Sequence, residues 1–138
     1  MNTILVVDDR PAASYSRARP LAAAGFDVRE TATGRDALRL ARLHVDAIVL
    51  DIVLPDMDGF DVMRRLKADP ETSDIPVILK TAASFDDGQR DLGLEAGAAA
   101  YFADPFDRQA LIAAVRGALG DSAYPRPRPE GGQPDPRR

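Results

Sequence analysis

The chain has 138 residues, 45% of them hydrophobic, and a formal net charge of −4. That is enough for one domain with a buried core, and the wrong sign for general binding to nucleic acid. Cysteine is absent, which excludes disulfides and thiolate metal sites. The N-terminus carries neither a basic n-region nor a long apolar stretch, so no signal peptide or membrane span is expected and the expected compartment is cytoplasmic.

Apolar runs and helical patterns alternate five times, the pattern of βα units in a doubly wound parallel sheet. The first strand is expected at about Thr3 to Val7. A helix follows from Pro11, where proline at a first-turn position loses no needed N–H, and runs to Ala24 before Gly25. Pro20 falls inside it, and its ring is expected to kink the helix. The second strand is expected at Asp27 to Thr31, and its helix at Arg35 to Leu43 with Ala37, Leu38 and Ala41 on one face. The third strand is Ala47 to Asp51. Asp58 then caps a helix over Gly59 to Ala68, whose apolar positions are Phe60, Val62, Met63 and Leu66. A polar loop, 69–74, leads to the fourth strand, Val77 to Thr81. The fourth helix, about Asp87 to Ala96, contains Gly88 and Gly93 and is the weakest by propensity. A short fifth strand, Ala100 to Phe102, precedes a last helix at Arg108 to Leu119 with Leu111, Ile112, Val115 and Leu119 inward. Residues 1–120 thus form one domain. Residues 121–138 hold five prolines, two glycines and four arginines, a composition that cannot pack a core and reads as a disordered tail.

Two of these strands end in acid. Ile4-Leu5-Val6-Val7 runs into Asp8-Asp9, and Ala47-Ile48-Val49-Leu50 runs into Asp51. In a parallel sheet the strand ends gather on one edge, where open α/β folds place their sites. Three carboxylates there repel one another unless a cation joins them, and an oxygen-only donor set suits a hard ion such as Mg²⁺. One carboxylate is then free to act as a nucleophile.

The order of four motifs resembles a bacterial response-regulator receiver domain. These are Asp8-Asp9; Asp51 with the turn Leu54-Pro55-x-Met57-Asp58-Gly59; Ile75-Pro76-Val77-Ile78-Leu79-Lys80-Thr81-Ala82; and Gly97-Ala98 leading to Tyr101 and Pro105-Phe106. The resemblance covers residues 2 to about 119. It implies a flavodoxin-like (βα)5 fold, a five-stranded parallel sheet of order 2-1-3-4-5. It implies Asp51 as phosphoacceptor, and Mg²⁺ held by Asp8, Asp9, Asp51 and the backbone carbonyl of Val53. Thr81 would bond a phosphoryl oxygen, and Tyr101 would be the aromatic switch. The implied partners are a histidine kinase or histidine phosphotransfer protein and a downstream protein bound by the face of the fourth helix, fifth strand and fifth helix, with a homodimer as a further option. No separate turnover is expected, no direct nucleic-acid contact and no membrane partner.

One position departs from the pattern. The family's lysine, just before Pro-Phe, is Asp104 here. An inward aspartate would stand beside a group of about two negative charges, and one pair of like unit charges ~6 Å apart costs about 3 kcal/mol at an effective dielectric near 20. Two cations are candidates to compensate. Lys80 precedes Thr81, but alternation aims it at the opposite face from Thr81, leaving its long stem to bend over the strand end. Arg10 follows the acid pair and could fold over the site. The plainer expectation for both is a solvated surface cation. His44, the sole histidine, falls near a helix C-terminus and reads as structural. Three functions follow: a phosphoacceptor receiver; a pseudo-receiver that binds partners without phosphorylation, favoured by Asp104; and an aspartyl-phosphate hydrolase. The last is weakened because enzymes of the haloacid-dehalogenase type pair the nucleophile with a second aspartate two residues on, and that position here is Val53.

Overall fold

The computed structural model describes residues 2–81, 87–103 and 107–120, with residues 87–89 as backbone only. Ala82 and Ala83, the segment Asp104-Pro105-Phe106 and the expected tail at 121–138 lie outside the described residues. Five strands, β1 (Thr3–Val7), β2 (Asp27–Thr31), β3 (Ala47–Asp51), β4 (Val77–Thr81) and β5 (Ala100–Ala103), pair in parallel in the order β2-β1-β3-β4-β5. The helices are α1 (Pro11–Ala23), α2 (Gly34–Leu40), α3 (Gly59–Ala68), α4 (Asp87–Glu95) and α5 (Arg108–Ala118). This is the expected flavodoxin-like (βα)5 fold. Among the described residues, no helix is long and apolar enough to cross a membrane.

Every residue of β1, β3 and β4 is buried, because a parallel sheet is covered on both faces. Alternation along each strand splits the core in two. Leu5, Val7, Ile48, Leu50, Val77 and Leu79 pack beneath α2 and α3, against Ala37, Val62, Met63 and Leu66. Ile4, Val6, Ala47, Val49 and Ile78 pack against Leu21 of α1 and Leu111 and Val115 of α5. Burying each such side chain contributes roughly 1.5–3 kcal/mol.

β1, β2, β3, α3 and β4 fall on the expected bounds, and α1, α4, β5 and α5 each end one residue from them. The main change is α2, which stops at Leu40 rather than Leu43. There the chain tightens into turns, with Arg42 N–H donating to Arg39 and Leu43 N–H to Leu40. His44 leaves this turn with a left-handed φ of 60°, a conformation that histidine takes more readily than most residues. It is exposed. The helix α1 runs through Pro20 without a break in assignment.

Glycine is required where α3 meets β3. A Cβ on Gly59 would come within 2.5 Å of the Asp51 carbonyl oxygen and 2.6 Å of the Ile52 Cα. Both are backbone and cannot move aside cheaply. Gly59 N–H instead donates to the Ile52 carbonyl at 2.7 Å, so the loop after Asp51 is pinned to the start of the next helix. Asp58 accepts from Phe60 N–H, as an N-cap should. At the other end of α3, the buried Thr72 hydroxyl donates to the Leu66 carbonyl at 2.7 Å, satisfying a carbonyl that the helix itself leaves open.

The same loop also caps α2. Asp56 accepts from Gly34 N–H at 2.8 Å and Arg35 N–H at 2.9 Å, while Thr33 accepts from Asp36 N–H. The two backbone donors hold the Asp56 carboxyl below its ordinary value. A depressed folded-state pKa contributes stability that is present above the unfolded pKa and is lost as pH falls through the folded one. Asp56→Ala is therefore expected to lower the melting temperature by a few degrees at neutral pH. In circular-dichroism melts its gap from the wild type should close once pH falls below the range of the depressed carboxyl.

Candidate functional site

The C-terminal ends of β1, β3 and β4 lie side by side, with Val7 opposite Leu50 and Asp51 opposite Lys80. Asp8 continues β1 and is 3% exposed; Asp51 ends β3 and is 4% exposed. Asp8 Oδ1 accepts from Arg10 N–H at 2.9 Å, and Asp51 Oδ1 accepts from Val53 N–H at 3.2 Å. Asp9 is exposed at the rim. One carboxylate oxygen from each of Asp8, Asp9 and Asp51 lies within 4.8 Å of the others. Three hard, anionic oxygen donors this close, with no sulfur or imidazole among them, fit a divalent ion such as Mg²⁺.

Cations already crowd these acids. Lys80 Nζ stands 3.7 Å from Asp8 Oδ2 and 3.8 Å from Asp51 Oδ2. Arg10 reaches across the mouth, with Nε 3.5 Å from Asp8 Oδ1 and Nη2 3.6 Å from Asp51 Oδ2. Arg17, buried on α1, pairs with Asp8 Oδ2. The plain expectation for Lys80, a solvated surface cation, is corrected: the residue is 1% exposed. Alternation does turn it away from Thr81. That face is also the face of Asp51, its register partner, so the stem has nothing to bend around. Each pair at such a distance is worth about 4 kcal/mol at an effective dielectric near 20, and two of them offset the several kcal/mol that burying an ammonium costs. Arg10 is the half-exposed arm that sequence allowed for.

Arg17 escaped sequence reasoning, although a signal exists. Ser14, Arg17, Ala18 and Leu21 recur at helical spacing and are the buried residues of α1. An arginine in that inward row needs a buried anion, and Asp8 is the one it meets.

Thr81 is fully buried, and its hydroxyl has no hydrogen-bond partner among the described residues. By alternation it faces the α3 side of the sheet, opposite Lys80. Tyr101 is half-buried and packs on the core beneath that face. Gly93 of α4 lies against it, a Cβ there meeting Leu79 at 2.7 Å and the Tyr101 ring at 3.5 Å. Val53 is 60% exposed and forms an isolated antiparallel bridge with Asp58. Asp104 lies outside the described residues, so the expected acid-for-lysine exchange gains no geometry, while a lysine is present at the site from another strand.

Burial pushes the Asp51 carboxyl above its ordinary value; Lys80, the Val53 N–H and Arg10 pull against this, and Asp8 adds to it. A raised folded-state pKa favours folding below the unfolded pKa, and that advantage is lost as pH rises through the folded one. At neutral pH the ionised Asp51 is therefore a cost to stability. In metal-free buffer Asp51→Asn is expected to raise the melting temperature by a few degrees, and melts at successively lower pH should show the gain shrinking as Asp51 takes up its proton.

With this geometry in hand, comparison with known proteins is direct. Residues 4–116 match the response regulator receiver domain family. The chain is 41% identical over 123 residues to the DNA-binding dual master transcriptional regulator RpaA of Synechocystis, a match covering 86% of this chain and 49% of RpaA. It is 35% identical over 120 residues to Protein PilH of Pseudomonas aeruginosa, covering 86% of this chain and 98% of PilH. The chain thus spans about half of RpaA and nearly all of PilH. The receiver domain of the sensor histidine kinase PA1611 from Pseudomonas aeruginosa, solved with a magnesium ion in its active-site cleft, superposes with a TM-score of 0.78 at 32% identity, covering 86% of this chain and 98% of that one. A receiver domain protein from Clostridium thermocellum gives a TM-score of 0.80 at 25% identity, covering 89% and 98%. The acid cluster at the strand ends, the parallel sheet around it and the match across all five βα units agree: this chain belongs to the response regulator receiver domain family of two-component signalling, whose members accept a phosphoryl group without separate catalytic turnover.

Proposed function

We propose that this domain takes a phosphoryl group onto Asp51 from a histidine kinase or a histidine phosphotransfer protein, and signals by binding a partner through the α4-β5-α5 face. The observation that carries the reading is the clustering of Asp51 with Asp8 and Asp9 at the strand ends, oxygens within 4.8 Å. An Asp51 oxygen attacks phosphorus in line; the new O–P bond forms as the N–P bond to the donor histidine breaks, and the nitrogen keeps the electron pair. Asp8, Asp9, Asp51 and the Val53 carbonyl would hold Mg²⁺, which when bound offsets the charge on the transferring oxygens. The Thr81 hydroxyl is a donor in search of an acceptor, and a phosphoryl oxygen on Asp51 would supply one. Tyr101, packed beside α4, is the ring whose position would report that movement to the binding face. Homodimerisation through that face is one form the output could take.

The pseudo-receiver reading has one observation of its own: Asp8 and Asp51 are already paired with Lys80, Arg10 and, at Asp8, Arg17. Asp104, at the position where the family resemblance expects a cation, weighs the same way.

Incubation with Mg²⁺ and acetyl phosphate separates the two. Intact-mass spectrometry is expected to show one added phosphoryl group on the wild type and none on Asp51→Asn; an unmodified wild type would establish the pseudo-receiver. The adduct should also be long-lived. Hydrolysis needs a water lined up behind phosphorus, which polar side chains at the mouth can position. Val53, exposed at that mouth, has none to offer. Val53→Asn is expected to shorten the half-life of the phosphorylated protein several-fold, and decay as slow as wild type would show that this position does not govern water access.

A further inference from the structure

We propose that Lys80 is the phosphoryl-contacting cation of this site, its ammonium delivered from β4 rather than from the end of β5. The inference rests on the acceptor reading of Asp51 and names the residue that makes acceptance feasible despite Asp104.

Three observations carry it. The first is register. Lys80 pairs with Asp51 across β3 and β4, and parallel partners point to the same face, so the ammonium is aimed by the sheet itself. The second is burial. Among the described residues Lys80 is the largest of the fully buried side chains, 1% exposed in a strand whose other positions, Val77, Ile78, Leu79 and Thr81, are buried as well. A fully buried lysine is rare unless paired, and two acids of the cluster, Asp8 and Asp51, lie 3.7 and 3.8 Å from its ammonium. The third is supply. The chain has two lysines, and Lys67 is held 3.2 and 3.1 Å from the Ser73 and Ile75 carbonyls near the end of α3. Arg10 is half-exposed and must give up its carboxylate contacts to admit a donor. Arg17 is committed to Asp8. Among the described residues, Lys80 is the cation that stands beside the attacking carboxylate from a strand, where a preorganised charge acts without reorganising.

In the transfer from acetyl phosphate, Asp51 forms its O–P bond as the acetyl O–P bond breaks, and acetate leaves with the electron pair. The charge on the transferring oxygens passes close to an ammonium already in place. Before transfer that ammonium competes with Mg²⁺ for the same carboxylates. Removing it should therefore have two opposite effects: slower phosphorylation and tighter metal binding. A lysine that merely filled space would produce neither in combination.

The test uses the full chain with Lys80→Met, which keeps length and removes charge, and Lys80→Gln where the methionine variant does not fold. The phosphorylation rate with Mg²⁺ and acetyl phosphate, followed by intact mass, is expected to fall about a hundredfold. Mg²⁺ alone, followed by thermal shift, is expected to bind the variant more tightly than the wild type. Adding Asp104→Lys, which returns a cation where the family resemblance expects one, should recover most of the lost rate. A fall of about tenfold or more, with tighter Mg²⁺ binding or with recovery in the double variant, upholds the proposal. A smaller fall overturns it. So does a large fall with unchanged Mg²⁺ binding and no recovery, which would mark Lys80 as structural. A wild type that accepts no phosphoryl group at all overturns the acceptor reading itself, and this inference with it.

Discussion

Carboxylates packed at the end of a parallel sheet cannot remain there without cations, and much of this domain is arranged around that constraint. Asp8 and Asp51 are almost wholly buried, so water cannot screen their mutual repulsion. The fold answers from three directions. β4 sends Lys80 up from within the sheet, α1 sends Arg17 in from the side, and the loop after β1 folds Arg10 over the top. Three basic groups thus meet the two buried acids of the cluster. That balance gives α1 its inward arginine, and it puts a charged residue into a strand otherwise made of core.

Position matters as much as charge, and the loop after Asp51 shows how it is secured. Gly59 lets α3 begin against the backbone of β3, where any side chain would collide with Asp51 or Ile52. Asp56, three residues earlier, ties the same loop to the first N–H groups of α2. The Val53 N–H meanwhile fixes one Asp51 oxygen. A loop held at both shoulders keeps the Asp51 carboxylate in one orientation. None of these contacts is chemical in itself. They set the geometry in which the chemistry is possible.

The strands and most of the core were legible in the sequence because hydrophobic period is a local signal, whereas the strand order rested on the family resemblance. Ile4 to Val7 and Ala47 to Leu50 read as doubly covered strands and are so. Phe60, Val62, Met63 and Leu66 read as the inner face of α3 and are so. The acids at 8, 9 and 51 read as one cluster and lie together. What stayed hidden was pairing. Alternation correctly turned Lys80 away from Thr81, but only the β3-β4 register, a non-local fact, shows that Asp51 shares the face to which Lys80 turns. Arg17 was hidden for the same reason: its spacing marks it as inward, and its partner is supplied by the strand beneath it. The early end of α2 was illegible for a different reason. Its residues to Leu43 are good helix formers, and a tertiary turn into His44 overrides them.

The crowding of cations bears on how the metal and the phosphoryl group would be linked. Arg10 pairs with Asp8 Oδ1 and Asp51 Oδ2, and Lys80 with Asp8 Oδ2 and Asp51 Oδ2. A divalent ion held by Asp8, Asp9 and Asp51 would draw on two carboxylates that these cations already pair with. Two ligands that compete for one set of atoms are negatively coupled, and the coupling is reciprocal: whatever the internal cations contribute to the metal-free state is subtracted from the apparent affinity for metal. Arg10 is half-exposed and can swing into solvent at little cost, whereas Lys80 has no solvent to swing into. The arginine can therefore yield to an arriving ion, while the lysine must stay and share the carboxylates with it.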